Sequence, residues 1–113
     1  MSEQSILQIQ ENEHAVVATI RCSEFDHDTT ARLRAEIDGV VAPGSTLPVV
    51  LDLSNVTFMP SMTLGALIEI SNRCKSQQRR LVLVGVIPTI QDIFRLCKLN
   101  SFFEVRDSVE DVQ

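Results

Sequence analysis

Two stretches of this chain, Pro48-Val49-Val50-Leu51-Asp52-Leu53 and Leu81-Val82-Leu83-Val84-Gly85-Val86, are nearly unbroken apolar runs. A strand with one wet face alternates apolar and polar residues, whereas an unbroken run fits a strand covered on both faces. Between the runs, Leu64, Leu67, Ile68, Ser71 and Cys74 recur at the spacing of one helix face. Strand, helix and buried strand at this separation imply a right-handed parallel crossover. The fold class that follows is α/β, with these two runs at the centre of the sheet.

The remaining elements attach to that unit. Ile6, Leu7 and Ile9 suggest a first strand, Gln10 to Glu13 a turn, and Ala15 to Ile20 a second strand rich in β-branched residues. The pair is expected to form a hairpin. A helix follows, started by Asp26 or Asp28, either of which can cap exposed N–H groups. Its buried face is Leu33, Ile37, Val40 and Val41, and Ala42-Pro43-Gly44-Ser45 ends it. Pro88 and Thr89 open a third helix with Ile90, Ile93, Phe94 and Cys97 inward. Phe102 to Val105 reads as a short last strand, and Ser108 as the cap of a final turn. The expected architecture is a mixed sheet of four or five strands with helices packed against it. All 113 residues, 1–113, fit one domain.

Charge and cysteine usage narrow the class of partner. Ten basic against fifteen acidic residues give a formal charge of −5. Such a surface repels phosphate backbones and anionic lipid heads, so neither nucleic acid nor a membrane surface is the expected partner, and no direct membrane insertion is expected. No apolar stretch approaches the roughly 20 residues of a spanning helix, and the N-terminus lacks the basic start and apolar run of a signal peptide. Arg73, Lys75, Arg79 and Arg80 cluster at the end of a helix, where positive charge suits the dipole, and read as a solvated terminus. Cys22, Cys74 and Cys97 are odd in number and without C-x-x-C spacing, which points to reduced thiols in a cytoplasm. Cys74 and Cys97 fall on apolar helix faces.

The sequence offers little for catalysis. Phosphate-binding glycine loops are missing, and four glycines leave little to build one, so no cofactor and no metal is expected. His14 falls in a turn or at a strand start, an exposed and inert place. His27 lies between Asp26 and Asp28, which can orient it as a base, but no nucleophile is identifiable beside it. No catalytic residue is assigned, and the protein reads as a binder of another protein. Functional residues in such sheets gather at loops leaving the C-terminal strand ends, here the stretch after Leu53. There Pro60-Ser61-Met62-Thr63-Leu64-Gly65 opens a helix. A hydroxyl at this place is a normal cap. It is also a place where a phosphate on Ser61 is tolerated by free N–H groups and the positive dipole end. Local physics leaves cap and switch unranked.

Two segments resemble the STAS domain of bacterial anti-sigma factor antagonists. Ser23-Glu24-Phe25-Asp26-His27-Asp28-Thr29-Thr30 is close to the family's G-E-L-D-x-x-T run. Val50 to Gly65, read as V-L-D-L-S-N-V-T-F-M-P-S-M-T-L-G, is similar to its D-L-S-x-V-x-x-[IM]-D-S-[ST]-G-L-G signature. The resemblance covers nearly the whole chain and implies a STAS-like sheet. It also implies partner switching: an unphosphorylated antagonist binds an anti-sigma factor with serine kinase activity, and phosphorylation ends the binding. Ser61 occupies the phosphoacceptor position, and Asp26 matches an acidic residue of the partner-facing surface. The implied partner-binding set is Asp26, Pro60, Ser61, Met62, Thr63, Leu64 and Gly65. Three positions depart from the signature: Pro60 replaces aspartate, Met62 replaces serine or threonine, and Thr63 replaces glycine. Met62 adds a flexible apolar contact for a partner, and a branched side chain at Gly65 is expected to intrude on packing or docking. The alternative implied by the same resemblance is an unswitched scaffold subunit of a stress-signalling assembly or of a lipid-transport ABC complex.

Overall fold

The computed structural model of the protein describes residues 5–41 and 44–112. Val49–Asp52 (β3) and Leu81–Val84 (β4) pair in parallel as interior strands of a five-stranded sheet, as the two apolar runs predict. Leu7–Glu11 (β1) lies antiparallel to Val16–Ile20 (β2), and Glu104–Arg106 (β5) closes the far edge in parallel with β4. The spatial order is β1-β2-β3-β4-β5. Helices α1 (His27–Val40), α2 (Ser61–Ser76) and α3 (Pro88–Leu96) connect the parallel strands in turn.

Register explains the burial of both faces. Ala18, Leu51 and Leu83 stand side by side, and with Ile20, Val49 and Leu53 they face Leu33, Ile37, Leu67 and Phe94 of the helices. Burying one such leucine stabilises the fold by about 1.5–3 kcal/mol. The next register row, Val17, Val50 and Val82, faces the other way. Helices do not cover this second face; Val50, Val82 and Val84 pack instead with Ala15, Val109 and Val112.

Several local expectations shift. β1 runs on to Glu11, and the turn forms at Asn12, whose Oδ1 accepts the N–H groups of His14 (2.7 Å) and Ala15 (2.9 Å). Phe102 and Phe103 precede the last strand, and Phe103 packs on Phe94 with ring centroids 5.2 Å apart. Ala42 and Pro43, expected to end α1, lie outside the described residues; Val41 is its C-cap. Ser108 caps the final turn (Val109–Asp111) as expected, in a capping box with Asp111.

Two expectations are corrected. Cys97 is exposed, because α3 ends at Leu96 and the chain swings through Lys98 at φ 60°. Leu99 takes the inward place, its N–H donating to Phe94 O at 2.7 Å. Arg79 is only 4% exposed rather than solvated. After α2, Gln78 at φ 58° turns the chain back, and the Arg79 guanidinium enters the fold. Its Nε and Nη2 donate to Leu47 O (3.0 and 2.7 Å), and its Nη1 donates to Val40 O (2.9 Å). Arg73 and Lys75 do lie exposed in the last turn of α2, and Arg80 pairs with Glu104 (Nε to Oε1, 2.8 Å).

The start of β1 is tied to α1 by one carboxylate. Glu36 accepts from Ser5 Oγ (2.7 Å), Leu7 N–H (3.0 Å) and Ile6 N–H (3.1 Å). Burial pushes its pKa up, but these three donors together outweigh burial and hold it below the usual carboxylate range. A pKa lowered by folding contributes stability that is full above the unfolded value, near 4.3, and is lost as pH falls through the folded value. Glu36→Gln is therefore expected to cost about 1 kcal/mol at neutral pH and less at pH 3, below the unfolded value. Urea midpoints of the two proteins at both pH values check this; a gap undiminished in acid contradicts it.

Candidate functional site

β2 and β3 run in parallel, so the loops that follow them emerge at the same end of the sheet. Hydrogen bonds stitch these loops together. Ser23 O accepts from Thr57 N–H (2.8 Å), Thr57 Oγ1 (3.2 Å) and Phe58 N–H (3.3 Å). Glu24 and Phe58 form an isolated parallel bridge, and Asn55 Nδ2 donates to Ile20 O at 3.1 Å. The starts of α1 and α2, far apart in sequence, thereby become neighbours.

Of the two candidate caps of α1, Asp26 is the one used. Its Oδ1 accepts the Thr29 N–H at 2.8 Å, and Thr29 Oγ1 accepts the Asp26 N–H at 2.8 Å, a reciprocal box. The Thr29 backbone N–H, then its hydroxyl, hold the exposed Asp26 carboxyl below its ordinary pKa. Asp28 instead pairs with Arg32 one turn on, at 3.2 Å.

α2 begins differently. Its N-cap is Pro60 (φ −72°, ψ 167°), which offers no side-chain hydrogen bond. Ser61 is the first helical residue, exposed, and not the cap. Met62 is 36% exposed and Phe58 54%, so two large apolar side chains flank Ser61 in sequence at the surface. Thr63 and Leu64 turn inward: Thr63 is 0% exposed, and its Oγ1 lies 3.0 Å from Thr30 Oγ1 of α1. Leu64 packs in the core.

The structure thus brings Asp26, Pro60, Ser61, Met62 and Gly65 to one end of the sheet and places Thr63 and Leu64 beneath them. At Gly65 the first carbon of a side chain finds room, since a Cβ built there meets nothing within 4 Å. Phe58 is the residue that sequence reasoning passed over. Its signal was an aromatic in a polar loop just before a helix start.

Little in this region suggests bond-making chemistry. Cys22, half-buried in the first loop, has its thiol pushed up by burial, which withholds the reactive thiolate. Among the described residues, no group of three His, Cys, Asp or Glu is placed to hold a metal ion. Also among them, no helix is long and apolar enough to cross a membrane.

Comparison with known proteins identifies the family and the fold. Residues 7–112 match the STAS domain. An anti-sigma F factor antagonist of Lysinibacillus sphaericus is 23% identical over 88 residues, 78% of this chain and 74% of that protein. An anti-sigma-factor antagonist (STAS) domain protein from Planctomyces limnophilus superposes with a TM-score of 0.83 at 13% identity, covering 93% of this chain and 92% of that one. The Bacillus cell fate determinant SpoIIAA, solved in its phosphorylated form, gives a TM-score of 0.70 at 20% identity over 94% of this chain and 96% of that one. The five-stranded mixed sheet with three helices is the fold they share.

Proposed function

From the premise that this chain belongs to the STAS domain family, we propose that it is an anti-sigma factor antagonist, a single cytoplasmic domain over residues 1–113. It acts by binding an anti-sigma factor with serine kinase activity and is not itself an enzyme. It takes no cofactor and binds no nucleic acid. The observation that carries this reading is Ser61, exposed on the first turn of a helix whose N-terminus no side chain caps. Phe58 and Met62 beside it supply apolar contact area, and Asp26 supplies an acidic neighbour at the adjoining helix start. Phosphorylation of Ser61 adds about −1.5 to −2 charges to that patch. The helix N-terminus tolerates the phosphate, while an apolar partner surface docked on Met62 and Phe58 does not.

A second reading is favoured by Pro60. With its ring fixing φ at −72° just before Ser61, it stiffens the loop offered to a kinase and carries no charge. In that reading the chain is an unswitched STAS scaffold subunit, of a stress-signalling assembly or of a lipid-transport ABC complex.

A quantitative pull-down with wild type, Ser61→Ala and Ser61→Asp as baits separates the two, with intact mass recorded on each bait. The expected result is an ATPase-type kinase retained by wild type and Ser61→Ala and lost by Ser61→Asp, with a phosphate mass on wild type alone. Identical partners on all three baits overturn the switch and leave the scaffold reading.

A further inference from the structure

The two helix starts at this end of the sheet are secured in different ways. α1 has its own capping box, made by Asp26 and Thr29. α2 has none: Pro60 provides only its carbonyl, which accepts the N–H groups of Thr63 (3.0 Å) and Leu64 (3.1 Å). A helix start without a side-chain cap frays. Two residues past Ser61, however, Thr63 is fastened to Thr30, in the second turn of α1, by a hydroxyl–hydroxyl bond of 3.0 Å. Both threonines are buried, at 0% and 2% exposure, so water cannot replace either partner.

We propose that Thr63 and Thr30 are positioning residues for Ser61, their hydroxyl pair standing in for the side-chain cap that Pro60 cannot provide. The anchor is tertiary rather than local. Through it the exposed Ser61–Met62 turn is held against the already rigid start of α1, and the β-branched Thr63 tolerates the helical conformation only at a small intrinsic cost. The significance of the pair for partner recognition rests on the reading of Ser61 given above; its mechanical role does not.

Amide hydrogen exchange of the 15N-labelled full chain, read by NMR, tests the pair without any partner. The variants are Thr63→Ala, Thr63→Ser and the double variant Pro60→Asp/Thr63→Ala. In Thr63→Ala, Leu64 and Gly65 amides are expected to exchange about tenfold faster relative to the Leu51 amide of β3. Alanine is the better helix former, so propensity alone predicts the opposite direction. Thr63→Ser, which keeps the hydroxyl, is expected to stay within about twofold of wild type, and the aspartate cap to restore protection in the double variant. Unchanged protection in Thr63→Ala overturns the proposal. So does a serine variant as frayed as the alanine one, since the methyl group and not the hydroxyl would then be responsible. The pull-down with Ser61 baits fails or succeeds independently, which keeps an error in the site reading apart from an error in the anchor.

Discussion

Replacing Arg79 by alanine is expected to lower the unfolding free energy by about 3–5 kcal/mol, because it removes the charge-assisted hydrogen bonds to two half-buried carbonyls at once. Val40 is the last residue of α1, and its carbonyl is among those a helix leaves without an internal partner. No basic residue occupies the last turn of α1. The positive charge that would ordinarily complement this end of the helix comes instead from Arg79, far along the chain. The same guanidinium clips Leu47 O with two donors, holding the approach to β3. Arg79→Lys keeps the charge but lacks the planar fork that reaches both carbonyls, and is expected to lose roughly half as much. Urea unfolding of the three proteins, compared by midpoint at constant slope, measures both costs. An alanine variant within about 0.5 kcal/mol of wild type, the usual range for surface changes, would falsify the clamp.

Gly85→Ala is expected to cost about 2–4 kcal/mol, a fall of roughly 8–16 °C in Tm for a chain of this size. Gly85 follows β4 with φ at +69°, a left-handed conformation that residues with a Cβ enter at a cost of about 1–2 kcal/mol. Space is also short. The added Cβ would stand 2.9 Å from Ser54 Cβ, 3.0 Å from Asp52 Oδ1 and 3.1 Å from Ser54 N. Those atoms form the turn that leaves β3, where Asp52 Oδ1 accepts the Ser54 N–H at 2.9 Å, so the clash falls on a turn that a hydrogen bond holds in place. Gly65→Ala provides the internal control. It lies within α2 with open space around it, and alanine there is expected to be neutral or to stabilise by up to about 1 kcal/mol. Calorimetry on both variants decides the matter; equal melting temperatures would mean that backbone freedom at Gly85 is not what the turn requires.

The two apolar runs and the helical spacing between them were enough to derive β3, α2 and β4, because periodicity and burial on both faces are properties of the local pattern. Helix starts were legible for the same reason. Asp26 caps α1 through a bond to a residue three positions on, and Ser61 sits at the head of α2 because a proline precedes it. What the pattern could not contain is which distant group a polar side chain meets. Arg79 and Arg80 are adjacent and alike, yet the left-handed turn at Gln78 sends one into the fold and leaves the other half-buried beside Glu104. Thr63 belongs to the set that the resemblance implies for partner binding, yet its hydroxyl is buried against Thr30, a partner that only helix packing supplies. Cys97 keeps the apolar helical phase and is exposed, because α3 stops before the phase is used. The tightness around Gly85 comes from a turn on a neighbouring strand. Local rules of period, cap and turn determined the elements and their order. The path of the chain between them decided which side chains are anchors and which are surface, since those contacts join residues that share no local pattern.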